Sequence, residues 1–200
     1  LIDKAVEYIQ LSIERNPDSI PLAEKLLSLY EEVGSDEEVT DQVKNLIELC
    51  DKQDRKDKLE AYLQRLITIE PEEFHPREKL AALLLKSEPD RAVAQLFELS
   101  QMAHSTQDDH RAADYLEQVL SIEPGSDRAV NELLEYKIAF NDTEGAITLL
   151  HQSAEKAMGA NDPAGAREFH ERVLELKPQQ ELSREALLEL YEVLDDQPAL

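Results

Sequence analysis

A chain of 200 residues with 42% hydrophobic content carries enough apolar side chain for a sizeable core. Its 44 acidic and 21 basic residues give a formal charge of −23, shared as −10 and −13 between the first and second hundred residues, which disfavours nucleic-acid backbones and anionic membranes and favours basic partners. With 5 glycines, one cysteine (Cys50) and no tryptophan, phosphate-cradling loops, disulfide frameworks and thiol metal centres have little to be built from, and the abundance of Leu, Ala, Glu and Lys predicts an all-α chain.

In chain order, the first predicted helix runs from Asp3 to Arg15 and stops at Asn16-Pro17. The second covers Pro21 to Val33 and ends at Gly34, the residue type expected where a helix turns back in a left-handed conformation. Ser35 and Glu38 then have the S-x-x-E spacing of a capping box, opening a third helix over Glu37–Asp51 with Val43, Leu46, Ile47, Leu49 and Cys50 facing inward. Asp54 is expected to open the next helix, closed by Pro71, and Arg55-Lys56-Asp57-Lys58 at its start reads as a solvated turn. Pro76 starts a further helix, a turn follows at Glu88-Pro89-Asp90, and the segment from Arg91 to Ser105 supplies the next. Asp108 and Asp109 cap the helix that closes at Pro124, Ser126-Asp127 opens another, and Asn141-Asp142-Thr143 turns the chain into a helix expected to end at Gly159. Asp162-Pro163 begins the helix that closes at Pro178, and the last spans Leu182–Leu194.

One sentence is said four times along this series. Ala5 to Pro17, Leu59 to Pro71, Ala112 to Pro124 and Ala166 to Pro178 share an apolar register, with the closing prolines 54, 53 and 54 residues apart. The ninth residue before each proline is Tyr8, Tyr62, Tyr115 or Phe169, and the ninth after it is Leu26, Leu80, Leu133 or Leu187. The fixed places of the four aromatics beside apolar partners predict packing between helices rather than a binding stripe. Short turns make neighbouring helices antiparallel, and each apolar stripe can be buried only on its neighbours.

With the prolines as anchors, Leu96–Pro124 and Leu150–Pro178 resemble tetratricopeptide (TPR) repeats: Leu96, Leu99, Ser100, Ala103, Ala112, Leu116 and Val119 in the first, Leu150, Ser153, Ala154, Ala157, Ala166, His170 and Val173 in the second. Val43–Pro71 fits more loosely and Ala23–Leu49 as a degenerate copy, while the first-helix aromatic and Gly of the family pattern are missing. The resemblance implies a right-handed superhelical α-solenoid of about eleven antiparallel helices. Here its superperiod is three helices, about 54 residues, where a TPR unit has two helices in 34, so TPR-like pairs are expected to overlap. One continuous repeat domain is expected over 1–200, in units of about 1–53, 54–107, 108–161 and 162–200, as a fragment of a longer array.

No chemistry-bearing constellation emerges. His170-Glu171 begins an H-E-x-x-H helix, but Leu174 stands in the closing place. Asp108, Asp109 and His110 crowd one helix start, where capping accounts for the carboxylates. TPR proteins that hold peptide carboxylates use Lys, Arg and Asn; Lys25, Asn45, Lys79, Arg128, Asn131 and Arg184 are of the right types, but their offsets differ between units and no such clamp is carried over. Cys50 reads as a small core residue, and the longest apolar run, Leu80–Leu85, is far too short to span a membrane. No catalytic, metal or cofactor site is therefore expected. The expected function is a non-catalytic scaffold that docks a peptide or helix of a basic protein partner, with neither nucleic acid nor membrane involved. The alternative is self-assembly through an end face exposing Leu187, Leu190 and Tyr191, and the third option is a regulatory arm of an enzyme in the parent chain. A cytoplasmic setting is expected, any targeting signal of the parent lying outside the fragment.

Overall fold

The computed structural model describes residues 1–195. Among them the chain forms eleven α-helices and no strand: α1 (Ile2–Arg15), α2 (Ile20–Val33), α3 (Asp36–Lys52), α4 (Lys56–Ile69), α5 (Phe74–Leu84), α6 (Pro89–Ser105), α7 (Asp109–Ile122), α8 (Asp127–Ala139), α9 (Thr143–Gly159), α10 (Pro163–Leu176) and α11 (Glu181–Asp195). The fold is all-α and of the TPR-like helical-repeat kind, with successive helices packed on each other over α1 to α5 and again over α7 to α11.

Two kinds of joint recur along the chain, each with a local cause. Before the repeated prolines, Asn16, Glu70, Glu123 and Lys177 leave the helix with φ of −137°, −120°, −121° and −143°. The pyrrolidine ring clashes with an α-conformation at the preceding residue, so the helix must stop there. At the other joint Asp54, Gln107 and Asn161 take left-handed φ of 52°, 63° and 61°. The following amides of Arg55, Asp108 and Asp162 then bond back to the Cys50, Ala103 and Ala157 carbonyls at 2.8, 2.9 and 2.8 Å, closing each helix by a Schellman-type turn.

Several local expectations are corrected by these joints. Gly34 has the expected left-handed φ of 76°. Ser35 is the N-cap of α3, but its side chain makes no capping bond. Its backbone N–H is already committed to the Tyr30 carbonyl that ends α2, and only Gly34 and Ser35 lie between the two helices, so the C-cap geometry orients Ser35. Asp54 does not open α4: it is the left-handed turn residue, and α4 starts two residues later. Gly159 is the last residue of α9, and the turn is made by Asn161. Asp108, Asp142 and Asp162 do cap α7, α9 and α10, accepting from the backbone N–H of Arg111, Gly145 and Gly165.

The chain divides into two compact units, with the boundary between Gln95 and Leu96 inside α6. In the first unit, Ile20, Ala23 and Leu27 of α2 join Val43, Leu46, Ile47 and Cys50 of α3 and Leu59, Leu63 and Leu66 of α4 in one core that reaches Leu80, Leu84 and Ala92. In the second, Ala112, Tyr115, Leu116 and Val119 of α7 and Val130, Leu133 and Leu134 of α8 are buried, followed by Ala146, Ile147, Leu150 and Ala154 of α9. The expected register holds, since Leu26, Leu80, Leu133 and Leu187 are all buried. Of the aromatics, Tyr115 is buried and Tyr62 and Phe169 pack against core clusters, but Tyr8 on α1 is 70% exposed. Among the described residues α1 packs on α2, and Tyr8 lies outside that contact.

Candidate functional site

The first unit carries a network of ties between alternate helices. Glu24 of α2 accepts from Lys58 Nζ at 2.6 Å and from the Tyr62 hydroxyl at 2.8 Å, both from α4. Burial pushes the Glu24 carboxyl up, but the hydrogen bonds from Lys58 and Tyr62 outweigh it and hold the group below its ordinary pKa. The same contact, together with burial, drives the Tyr62 phenol well above its usual value. Two turns along, Arg65 of α4 pairs with Glu31 of α2, and Arg91 of α6 reaches Glu60 of α4 at 2.6 Å. Lys58 is thus no part of a solvated turn. Its neighbours Arg55 and Lys56 do lie at the surface, against Asp57 and Asp54 at 3.5 and 3.7 Å. Lys58–Glu24 and Arg65–Glu31 are each separated by 34 residues, so alternate helices come together at a two-helix spacing inside the three-helix sequence period.

The second unit holds three clefts, all on helices separated by one neighbour. A cavity of about 390 Å³ lies against α7, α8 and α9, and another of about 590 Å³ against α8, α9 and α10, where Arg172 donates to Asn131 at 2.7 Å. The third, about 290 Å³, is a notch lined by Ser100, Gln101 and His104 of α6 and by Glu132, Glu135 and Tyr136 of α8. Its two lining rings, His104 and Tyr136, belong to an aromatic ladder that continues past the notch. His104 meets Tyr136 edge-on with ring centres 5.9 Å apart, Tyr136 stacks with Phe140 at 6.2 Å, and Phe140 stacks on His110 at 4.2 Å. Burial and the carboxylates of Asp109, Glu132 and Glu135 raise the Tyr136 phenol, so its ring presents a neutral hydroxyl beside negative charge. Just beyond, the Arg128 guanidinium sits 4.0 Å over the Phe97 ring and donates to Glu132 at 2.8 Å, an internal instance of a cation held by ring and carboxylate together.

The residue types suited to a carboxylate clamp do not assemble. Lys25 is exposed, Lys79 is tied to Asp51 at 2.7 Å, Arg128 lies on Phe97, Asn131 accepts from Arg172, Asn45 is half-buried on α3 and Arg184 turns onto the Pro178 carbonyl. Asp108, Asp109 and His110 likewise diverge: Asp108 caps α7, Asp109 faces His104 at 2.8 Å, and His110 lies on Phe140. Among the described residues no group of three or more His, Cys, Asp or Glu is placed to hold a metal, and no helix is long and apolar enough to cross a membrane. Cys50 is fully buried, and burial pushes its thiol up, away from the reactive thiolate. The notch itself was not singled out from the sequence. Only the approach of α6 to α8 turns Tyr136 into a lining residue.

No family model matches the sequence, and no curated protein matches it. Solved structures of similar fold do exist. A putative kinesin light chain from P. anserina with nearly identical TPR-like repeats is 18% identical, with 92% of this chain and 99% of that chain covered and a TM-score of 0.40. BtubC (BKLC) from P. vanneervenii is 13% identical, with 100% and 91% covered and a TM-score of 0.40. YrrB, a TPR protein with an unusual peptide-binding site, is 12% identical, with 90% and 98% covered and a TM-score of 0.34. Two of these three are described as TPR or TPR-like proteins.

Proposed function

We propose that the chain is a non-catalytic interaction module that holds a basic segment of a partner protein, with the α6/α8 notch as the receiving site. The observation that carries this is the pairing of the Tyr136 ring with the Glu132 and Glu135 carboxylates around a cavity of about 290 Å³, in a chain of charge −23. Glu135 has no ion pair among the described residues, so a Lys or Arg side chain entering the notch would gain a carboxylate and a ring face at once. The field of the surrounding carboxylates would speed its arrival. Such a module needs no cofactor, and a buried lone cysteine suits the reducing conditions of a cytoplasmic setting.

A labelled octalysine peptide, with octaglutamate as counterpart, tests the reading by titration against the wild type, Tyr136→Leu and Glu135→Gln. Octalysine should bind and octaglutamate should not, with affinity falling about tenfold between low and physiological salt as exposed charges are screened. Each substitution should weaken binding by about fivefold or more. Unchanged affinity in both variants would mean diffuse attraction to an acidic surface and would remove the site.

Self-assembly has one observation in its favour, though it is not the face expected. Leu187 and Leu190 are buried, because α11 turns them onto its neighbours, and Leu190 joins Ala154 and Ala166 in a core cluster. Tyr191 is exposed as expected, and Leu182, Leu188 and Val193 are exposed as well. Light scattering that shows only monomer at high concentration would exclude this reading.

A further inference from the structure

His151 of α9 and His170 of α10 converge on one hydroxyl. Ser183 of α11 is fully buried, with its Oγ 2.8 Å from His151 Nε2 and 3.2 Å from His170 Nδ1, and the two rings stand 5.6 Å apart between centres. A hydroxyl has one proton to donate, so with two neutral rings it donates to one and accepts from the N–H of the other. With one ring charged the arrangement still closes, since the imidazolium donates to Oγ and the hydroxyl donates to the neutral ring. With both charged, each facing nitrogen carries a proton, the serine proton has no ring acceptor, and two like charges lie 5.6 Å apart in a half-buried joint.

We infer that this Ser183-centred pair of imidazoles is a pH-sensitive latch that docks α11 on α9 and α10 when neutral and releases it on acidification. The three residues come from three helices, and the same joint carries the apolar contacts of Ala154, Ala166 and Leu190, so charging the pair acts directly on what holds α11. Burial, then the charge of His151, lowers the His170 pKa below its ordinary value. A group depressed in the folded state contributes its full share of stability above its unfolded pKa, about 6.5, and that share is lost as pH falls through the lower folded value. The release therefore belongs on the acid side of neutrality. Neighbouring charges are otherwise engaged or outward. On α10, Glu171 is held by Arg167 at 3.4 Å and by the Tyr191 hydroxyl at 2.9 Å. On α11, Arg184 is turned onto the Pro178 carbonyl and Glu185 is exposed, as are Glu155 and Lys156 of α9.

Hydrogen exchange of α11 amides in the full chain, corrected for intrinsic pH dependence, tests the latch. Between pH 7.5 and 5.5 protection over α11 should fall about tenfold, with α8 unchanged. In the double variant His151→Gln, His170→Asn, whose amides hydrogen-bond but do not titrate, α11 protection should stay level. Ser183→Ala removes the shared partner and should loosen α11 already at pH 7.5. Level α11 protection in the wild type, or the same acid loss in the double variant, would overturn the latch. If the double variant does not fold, the Ser183→Ala result decides: unchanged protection at pH 7.5 overturns it.

Discussion

Tyr62 shows what one side chain adds to a repeat. Its ring occupies a place shared with Tyr8, Tyr115 and Phe169, and its hydroxyl donates to Glu24, two helices away. The equivalent Phe169 has no hydroxyl to give, so that place in the repeat can keep the packing role without the bond. Tyr62→Phe keeps the ring and removes a hydrogen bond to a charged group, leaving Glu24 with Lys58 alone. It should cost about 1–2 kcal/mol by urea unfolding, and a loss below about 0.5 kcal/mol would show the bond to be incidental. The left-handed Asp54, Gln107 and Asn161 teach the complementary lesson. Their side chains differ, but the backbone of each reverses at the same place in the period, because the next amide must reach back to close the helix.

A helix in this chain is stabilised chiefly through the stripe it shares with its neighbours. Isolated helices of 13 to 17 residues are marginal in water, so α8 or α9 persists because Leu133, Leu134 and Leu150 are covered from both sides. Leu133 is 1% exposed, and Leu133→Ala should cost about 3 kcal/mol through lost burial and the cavity it leaves. Leu188 of α11 is 68% exposed, and Leu188→Ala should stay within about 0.5 kcal/mol. Equal losses in urea unfolding of the two variants would contradict this assignment of inner and outer faces. Leu187 and Leu188 are adjacent in sequence and opposite in fate, since one residue rotates the side chain by about 100° around the helix.

For the molecule as a whole, 44 acidic against 21 basic residues leave an excess of 23 negative charges. Most of the pairs that do form lie at the surface, where each is worth little, so net repulsion outweighs them. Adding about 0.5 M sodium chloride should therefore raise the melting temperature by about 3 °C through screening, whereas a stability carried by the surface pairs would fall. The same salt should weaken the docking of a basic peptide, giving opposite responses of stability and binding in one buffer series.

Helix number, helix limits and the inward register were legible in the linear order of residues, because they rest on local physics: a proline cannot continue a helix, a glycine accepts a left-handed turn, and an apolar stripe repeats every three or four positions. Capping at Asp108 and Asp162 was legible for the same reason. Partnerships such as Lys58 with Glu24, Tyr136 beside His104, and Ser183 between His151 and His170 were not. Lys58 and Glu24, Tyr136 and His104, and Ser183 and His151 stand some thirty residues apart, and their meeting depends on the rotation of one helix about its axis and its approach to another two places away. Those quantities come from packing the whole row of stripes at once, and chemistry written in such pairs becomes visible only when the helices are docked.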